Sequence, residues 1–234
     1  MTGSQLTAAR FAERIEALRV PTGRDRVRMR EVFALAREFI DLPGTEIDKL
    51  LDSDVHEVRI GALSVMGKQA VRKNTPEDIR AELFALYLRR TDRINTWDLV
   101  DVSAHHVVGG YLRDKPRDVL YRLARSAHWW ERRIAMLATL AFVRGGDLDD
   151  TFALAGLLVA DTHERVQTVV GGMLREAGKH DRDRLLAFLD RHAATAPRVL
   201  LRYAIEHLDP EQRAHYLDRH HYEPYTAGSG RIGR

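Results

Sequence analysis

Apolar residues at helical spacing recur along this chain with a long period, and that regularity limits the folds open to it more than any single motif. Val32, Phe33, Ala36, Phe39 and Ile40 form one stripe; Leu83, Phe84, Tyr87 and Leu88 form another; Leu185, Leu186, Phe188 and Leu189 form a third. Residues three and four apart share a helix face, so each stripe predicts a helix with one buried side. No stretch keeps the two-residue alternation of a strand. Prolines fall between the stripes. Thr75-Pro76-Glu77 and Asp209-Pro210-Glu211 each offer an N-cap followed by proline at the first helical position. Pro43, Pro116 and Pro197 punctuate similarly, and Gly145-Gly146-Asp147 reads as a loop. The pattern predicts about a dozen helices joined by short turns.

The helices also repeat. The segment from His56 to Leu63 parallels Trp130 to Leu137, 74 residues on, or twice 37. Midway, Asn95-Thr96-Trp97-Asp98-Leu99-Val100 opens a helix in the same phase, and further copies start near Arg165 and Arg198. A period of roughly 35–40 residues with two helices per unit is that of HEAT-like repeats, which bury their apolar faces against their neighbours. The predicted fold is therefore all-α, a HEAT-like helical-repeat solenoid with a concave groove. Residues 1–221 form one such domain, and 222–234, containing Gly228-Ser229-Gly230, form a disordered C-terminal tail.

Composition narrows the chemistry. With 234 residues, 44% of them hydrophobic, the chain can bury a continuous core. It has no cysteine, which excludes disulfides, thiolate metal sites and cysteine nucleophiles and suits a reducing cytoplasm. Met1 to Glu13 lacks the apolar centre of a signal peptide. The longest apolar run, Thr151 to Ala160, is too short to span a bilayer, so a soluble protein is expected. Net charge is only +3, but five lysines stand against 32 arginines. A planar guanidinium suits bidentate phosphate contacts. The surplus reads either as GC-rich coding bias or as selection for a polyanionic partner.

Three segments could carry chemistry. In the first, Trp97 and Asp101 lie four residues apart and so share a helix face, with Asn95 or Thr96 as N-cap and Asp98 against the positive end of the dipole. The pair reads as an aromatic and acidic platform, or as a core tryptophan with a surface acid or inter-helix tie. In the second, Trp129-Trp130-Glu131-Arg132-Arg133, Arg133 falls at the repeat position of Arg59. An arginine there either clamps a phosphate or braces neighbouring repeats. One of the two tryptophans is expected in the core. In the third, Gly171 and Gly172 interrupt a helical pattern at about 1 kcal/mol each. They imply close helix packing or a space left open, packing being the simpler reading. The adjacent pairs His105-His106 and His220-His221 point to different sides of a helix and are poorly placed to share a metal. There is no HExxH, P-loop, GxGxxG or Gly-x-Ser-x-Gly. No metal and no cofactor are expected.

Asn95-Thr96-Trp97-Asp98-Leu99-Val100-Asp101, Trp130-Glu131-Arg132-Arg133 and Leu174-Arg175-Glu176 together resemble the HEAT-like-repeat DNA alkylation repair family, the AlkD-type alkylpurine DNA glycosylases. The likeness runs from about Val32 to Leu217. Asp147-Leu148-Asp149-Asp150-Thr151-Phe152 and Phe188-Leu189-Asp190-Arg191-His192 resemble its later repeats. The resemblance implies a metal-free DNA repair glycosylase that excises cationic N3- and N7-alkylated purines from duplex DNA held in the concave groove. Trp97 and Asp101 would be its catalytic tryptophan and aspartate, and Arg133 a DNA-backbone arginine. Trp130, Arg59 and Arg175 are the further candidate DNA-binding residues. Such a protein would work as a cytoplasmic monomer, nucleoid-associated when on DNA, and would leave the lesion stacked rather than extruding it.

One position departs from the family pattern. Where the family has a second active-site tryptophan, this sequence has Gly172, and the region before Val32 lacks a clear match to the family's aromatic-containing first helices. The alternatives are a DNA-binding relative with reduced, redirected or absent excision, and a HEAT-like protein-interaction scaffold.

Overall fold

The computed structural model describes residues 6–19 and 27–219. The expected tail at 222–234 and the pair His220-His221 lie outside the described residues. Every regular element among the described residues is helical. In chain order they begin with α1 (Ala8–Arg19), α2 (Met29–Glu38), α3 (Gly44–Leu51), α4 (His56–Val71), α5 (Glu77–Arg89) and α6 (Trp97–Ala104). α6 runs on as a π-helical turn, His105–Gly109. Then follow α7 (Asp118–Leu123), α8 (Trp129–Ala138), the short α9 (Leu140–Val143), α10 (Asp149–Leu158), α11 (Glu164–Gly178), α12 (Arg182–His192), α13 (Arg198–Ala204) and α14 (Pro210–Asp218).

Two layers result. α2, α4, α6, α8, α11 and α13 pack each against the next, and α3, α7, α12 and α14 back them from the second layer, as do α5 and α10. This is an all-α helical-repeat solenoid, as the periodicity predicts. From α4 onward, the helices of the first layer begin at His56, Trp97, Trp129, Glu164 and Arg198, 32 to 41 residues apart. The repeat is real but uneven. Helices in the first layer are covered on several sides, so they bury more than one stripe: α11 encloses Val166, Val169, Val170, Met173, Leu174 and Ala177. Each such valine or leucine contributes about 1.5–3 kcal/mol. No helix among the described residues is long and apolar enough to cross a membrane.

Arginines tie each repeat to the next. Arg19 donates to Glu57 (2.8 Å), Arg93 to the carbonyls of Leu51 (3.0 Å) and Asp52 (2.9 Å), and Arg117 to Asp147 (2.7 Å) and Asp150 (2.6 Å). Arg132 grips Asp161 with two nitrogens, at 2.6 and 3.1 Å. Partners in these bonds lie 29 to 42 residues apart, about one repeat. A fork of five donors can satisfy several acceptors at once, which an ammonium cannot do with fixed geometry. Much of the arginine surplus is accounted for inside the protein.

Helix ends follow local chemistry with two adjustments. Asp209 caps α14 as expected, its Oδ1 accepting from the Gln212 amide at 2.9 Å, with Pro210 at the first position. Pro76, not Thr75, occupies the N-cap position of α5. The Thr75 hydroxyl donates instead to the Gln69 carbonyl at 2.7 Å, closing the end of α4.

The paired glycines of α11 divide the two readings between them. A Cβ at Gly171 would press on the Leu200 carbonyl oxygen and lie 2.6 Å from the Tyr203 Cβ, so α13 can approach only because that atom is missing. A Cβ at Gly172 would meet nothing within 4 Å among the described residues. Gly171→Ala should therefore lower stability by about 1–3 kcal/mol through overpacking. Gly172→Ala should raise it by up to about 1 kcal/mol through helix propensity. Urea unfolding midpoints of the two variants test this, and equal shifts would refute the division.

Candidate active site

Asn95 and Thr96 lead the chain out of a turn and into α6. Arg59 on α4 steadies that turn, donating to the Arg93 carbonyl (3.2 Å) and more weakly to Asn95 Oδ1 (3.4 Å). Thr96 stands at the N-cap position, but its hydroxyl caps no amide; it donates to Asp98 Oδ1 at 2.6 Å. The other carboxylate oxygen of Asp98 meets His56 Nε2 at 2.7 Å, joining α6 to the start of α4. Burial pushes the Asp98 carboxyl up, yet hydrogen bonds from Thr96 and His56 outweigh it and hold the group below its ordinary value.

With that end fixed, Trp97 and Asp101 share a face. Trp97 is 45% exposed, so it is not a core residue. The Arg165 guanidinium, from the first turn of α11, lies over its ring at 5.1 Å from the centroid. One turn on, both oxygens of Asp101 accept from Arg133: Nε to Oδ1 at 2.8 Å and Nη2 to Oδ2 at 2.7 Å. Arg133 Nη1 donates to the Arg165 carbonyl, with the Thr168 hydroxyl further off at 3.4 Å. A single guanidinium thereby links α6, α8 and α11. The Arg133 side chain is 9% exposed and that of Asp101 36%. The carboxylate is thus pinned from beneath and open above.

This geometry alters the sequence reading of several residues. Arg133 braces neighbouring repeats and holds Asp101, with all three of its nitrogens facing acceptors inside the protein. Arg165, exposed beside Trp97, is the arginine left facing out. Trp130 is half-buried, stacked on His128 (4.5 Å, 18°), with its indole N–H enclosed and lacking an acceptor among the described residues. Trp129 is also half-buried and stacks flat on His163 (4.4 Å, 6°), so neither tryptophan lies fully in the core. Arg175 lies ten residues along α11 from Arg165 and pairs with Glu176 (3.1 Å) and Glu206; it is not brought to this site. Gly172 is one turn beyond Thr168 on α11, and the space over its Cα lies open. Arg165 and Thr168 escaped the sequence reading except as the start of a repeat, since their roles arise from packing between repeats.

The histidines depart from expectation as well. In an α-helix, adjacent side chains diverge by about 100°. In the π-helical turn the His105 and His106 rings instead lie 3.7 Å apart. Among the described residues no group of three or more His, Cys, Asp or Glu could hold a metal.

The model of one family, DNA alkylation repair enzyme, matches residues 26–208, and the chain belongs to that family. Among curated proteins none matches it. The matched stretch includes Trp97, Asp101, Arg133, Arg165 and Gly172.

A pH prediction follows from Asp98. Its folded value lies below the ordinary 3.8, so its stabilising contribution is complete above that value and is lost as pH falls through the lowered one. Asp98→Asn should flatten the acid side of the stability curve below pH 3.8 while costing stability at neutral pH. Thermal unfolding measured across the acid range checks this, and an unchanged acid limb would exclude the tie.

Proposed function

Starting from membership in the DNA alkylation repair family, we propose that this protein is a monofunctional glycosylase. It hydrolyses the N-glycosidic bond of cationic N3- or N7-alkylated purines in duplex DNA, with Asp101 as the catalytic carboxylate. The observation that carries this reading is a half-open carboxylate, held by both oxygens at the base of the site, one turn from an exposed tryptophan.

The chemistry suits so small a set of groups. An alkylated purine carries positive charge and leaves as a neutral base, so no general acid is required. Charge then grows on the deoxyribose, as in other oxocarbenium-like glycosidic transition states. A carboxylate fixed in advance stabilises that charge without reorganising during the reaction. Arg133 uses one lone pair of each Asp101 oxygen, and the remaining lone pairs face the open side to meet the sugar and orient a water. The Trp97 ring, already carrying one cation on its face, supplies a surface for a second positive partner, worth about 0.5–2 kcal/mol. Arg165, outward and next to that ring, is the candidate phosphate contact, and Arg133 is a positioning residue.

A second reading has its own observation, the empty space over Gly172. With no side chain on that wall, excision would be weakened for small lesions or directed to bulkier ones that fill the gap.

Single-turnover release of N7-methylguanine from a duplex tests both. The native protein should release base, and Asp101→Asn should lose on the order of 100-fold or more while still binding the duplex. Unfolding midpoints measured alongside separate a lost charge from a lost fold. Unchanged release in Asp101→Asn would remove the proposed role. No release by the native protein, with gain in Gly172→Trp, would favour the second reading.

A further inference from the structure

Beyond Asp101, the continuation of α6 opens onto a cavity that the proposed excision does not use. Its volume is about 460 Å³, and the π-helical turn sets both imidazoles of His105 and His106 in its wall. Four permanent cations surround it: Arg80, Arg113, Lys115 and Arg144. Two carboxylates answer them, Glu77 and Asp114. Lys115 is held between Glu77 (2.7 Å) and Asp114 (3.1 Å). Arg80 donates to the Arg72 carbonyl (3.0 Å) and sits 4.0 Å from Glu77. Arg113 and Arg144 are exposed and neither lies within 4 Å of a carboxylate among the described residues, though the charge of Arg113 is felt by Asp114. Two guanidiniums with no carboxylate within 4 Å among the described residues therefore border one hollow, beside Arg80 and Lys115. His105 Nδ1 is enclosed in that wall, with no hydrogen-bond partner among the described residues. Burial, with His106 and Arg144 nearby, holds that imidazole down at about 4, so it is neutral at ordinary pH.

We propose that this cavity binds a phosphate group, received by Arg113 and Arg144 at its mouth and by the His105–His106 pair in its wall. Guanidinium forks match the geometry of phosphate oxygens, and charge-assisted hydrogen bonds to them are the strong ones. An anion in the cavity would relieve the repulsion among the unpaired cations, and the phosphate would arrive either on a DNA backbone or on a small phosphorylated molecule. The site stands apart from excision; it needs no reaction at Asp101.

The test is titration of the full chain with inorganic phosphate, followed by the imidazole resonances of His105 and His106, for the native protein and for Arg113→Gln/Arg144→Gln. Both substituted residues are exposed, so folding should persist, and helical circular dichroism verifies it. Saturable shifts in the native protein, weakened roughly tenfold or more in the double variant, are expected. Displacement of phosphate by an undamaged duplex would identify the DNA backbone as the source. Tighter binding of a nucleoside monophosphate, with no displacement by duplex, would identify a small molecule. Absence of saturable shifts in the native protein, or equal affinity in the double variant, overturns the proposal.

Discussion

A guanidinium does not lose its proton inside a protein, so burying one obliges the structure to bring acceptors to it. Arg133 sets that condition here. Its acceptors come from different repeats, a carboxylate on α6 and a carbonyl on α11, and they can be in reach only when three successive helices of the first layer stack in one arrangement. Removing Asp101 would leave the buried Arg133 guanidinium without its carboxylate, a larger loss than the pair itself contributes. The same contact that fixes the stacking fixes Asp101, so the geometry of the candidate site and that of the solenoid are one problem.

Elsewhere the arginines repeat the device in milder form. Arg19, Arg93, Arg117 and Arg132 each reach about one repeat along the chain, mostly to carboxylates or carbonyls at the ends of helices. These pairs are largely buried, so much of their attraction is offset by the desolvation of both charges. Their value is directional, since a fork that fits two acceptors fits one relative placement of two helices. Among the guanidiniums without a carboxylate within 4 Å among the described residues, three sit beside the features described above. Arg165 lies over Trp97, and Arg113 and Arg144 border the histidine cavity.

Periodicity made the helices and their stacking order legible, because apolar stripes report burial directly. The α5 stripe shows this: Leu83 and Tyr87 are buried and Phe84 and Leu88 partly so. The shared face of Trp97 and Asp101 was legible for the same reason. What the sequence left open were choices settled between repeats. Whether Arg133 meets a phosphate or a neighbour depends on where Asp101 and the Arg165 carbonyl arrive. Gly171 and Gly172 look alike in a string of letters, yet α13 presses on one and leaves the other bare. The π-helical turn has no composition signature, and the contact between the His105 and His106 rings within it was not legible in two adjacent letters.

The assembly of one site from three consecutive repeats constrains how such a chain can change. Units at either end of a solenoid can be gained or lost with only local rearrangement, since each touches its immediate neighbours alone. A unit inserted or deleted between α6 and α11 would separate Asp101 from Arg133 or Arg133 from Arg165. The segment between Trp97 and Gly172 therefore behaves as an indivisible block, while the lengths to either side are free to drift.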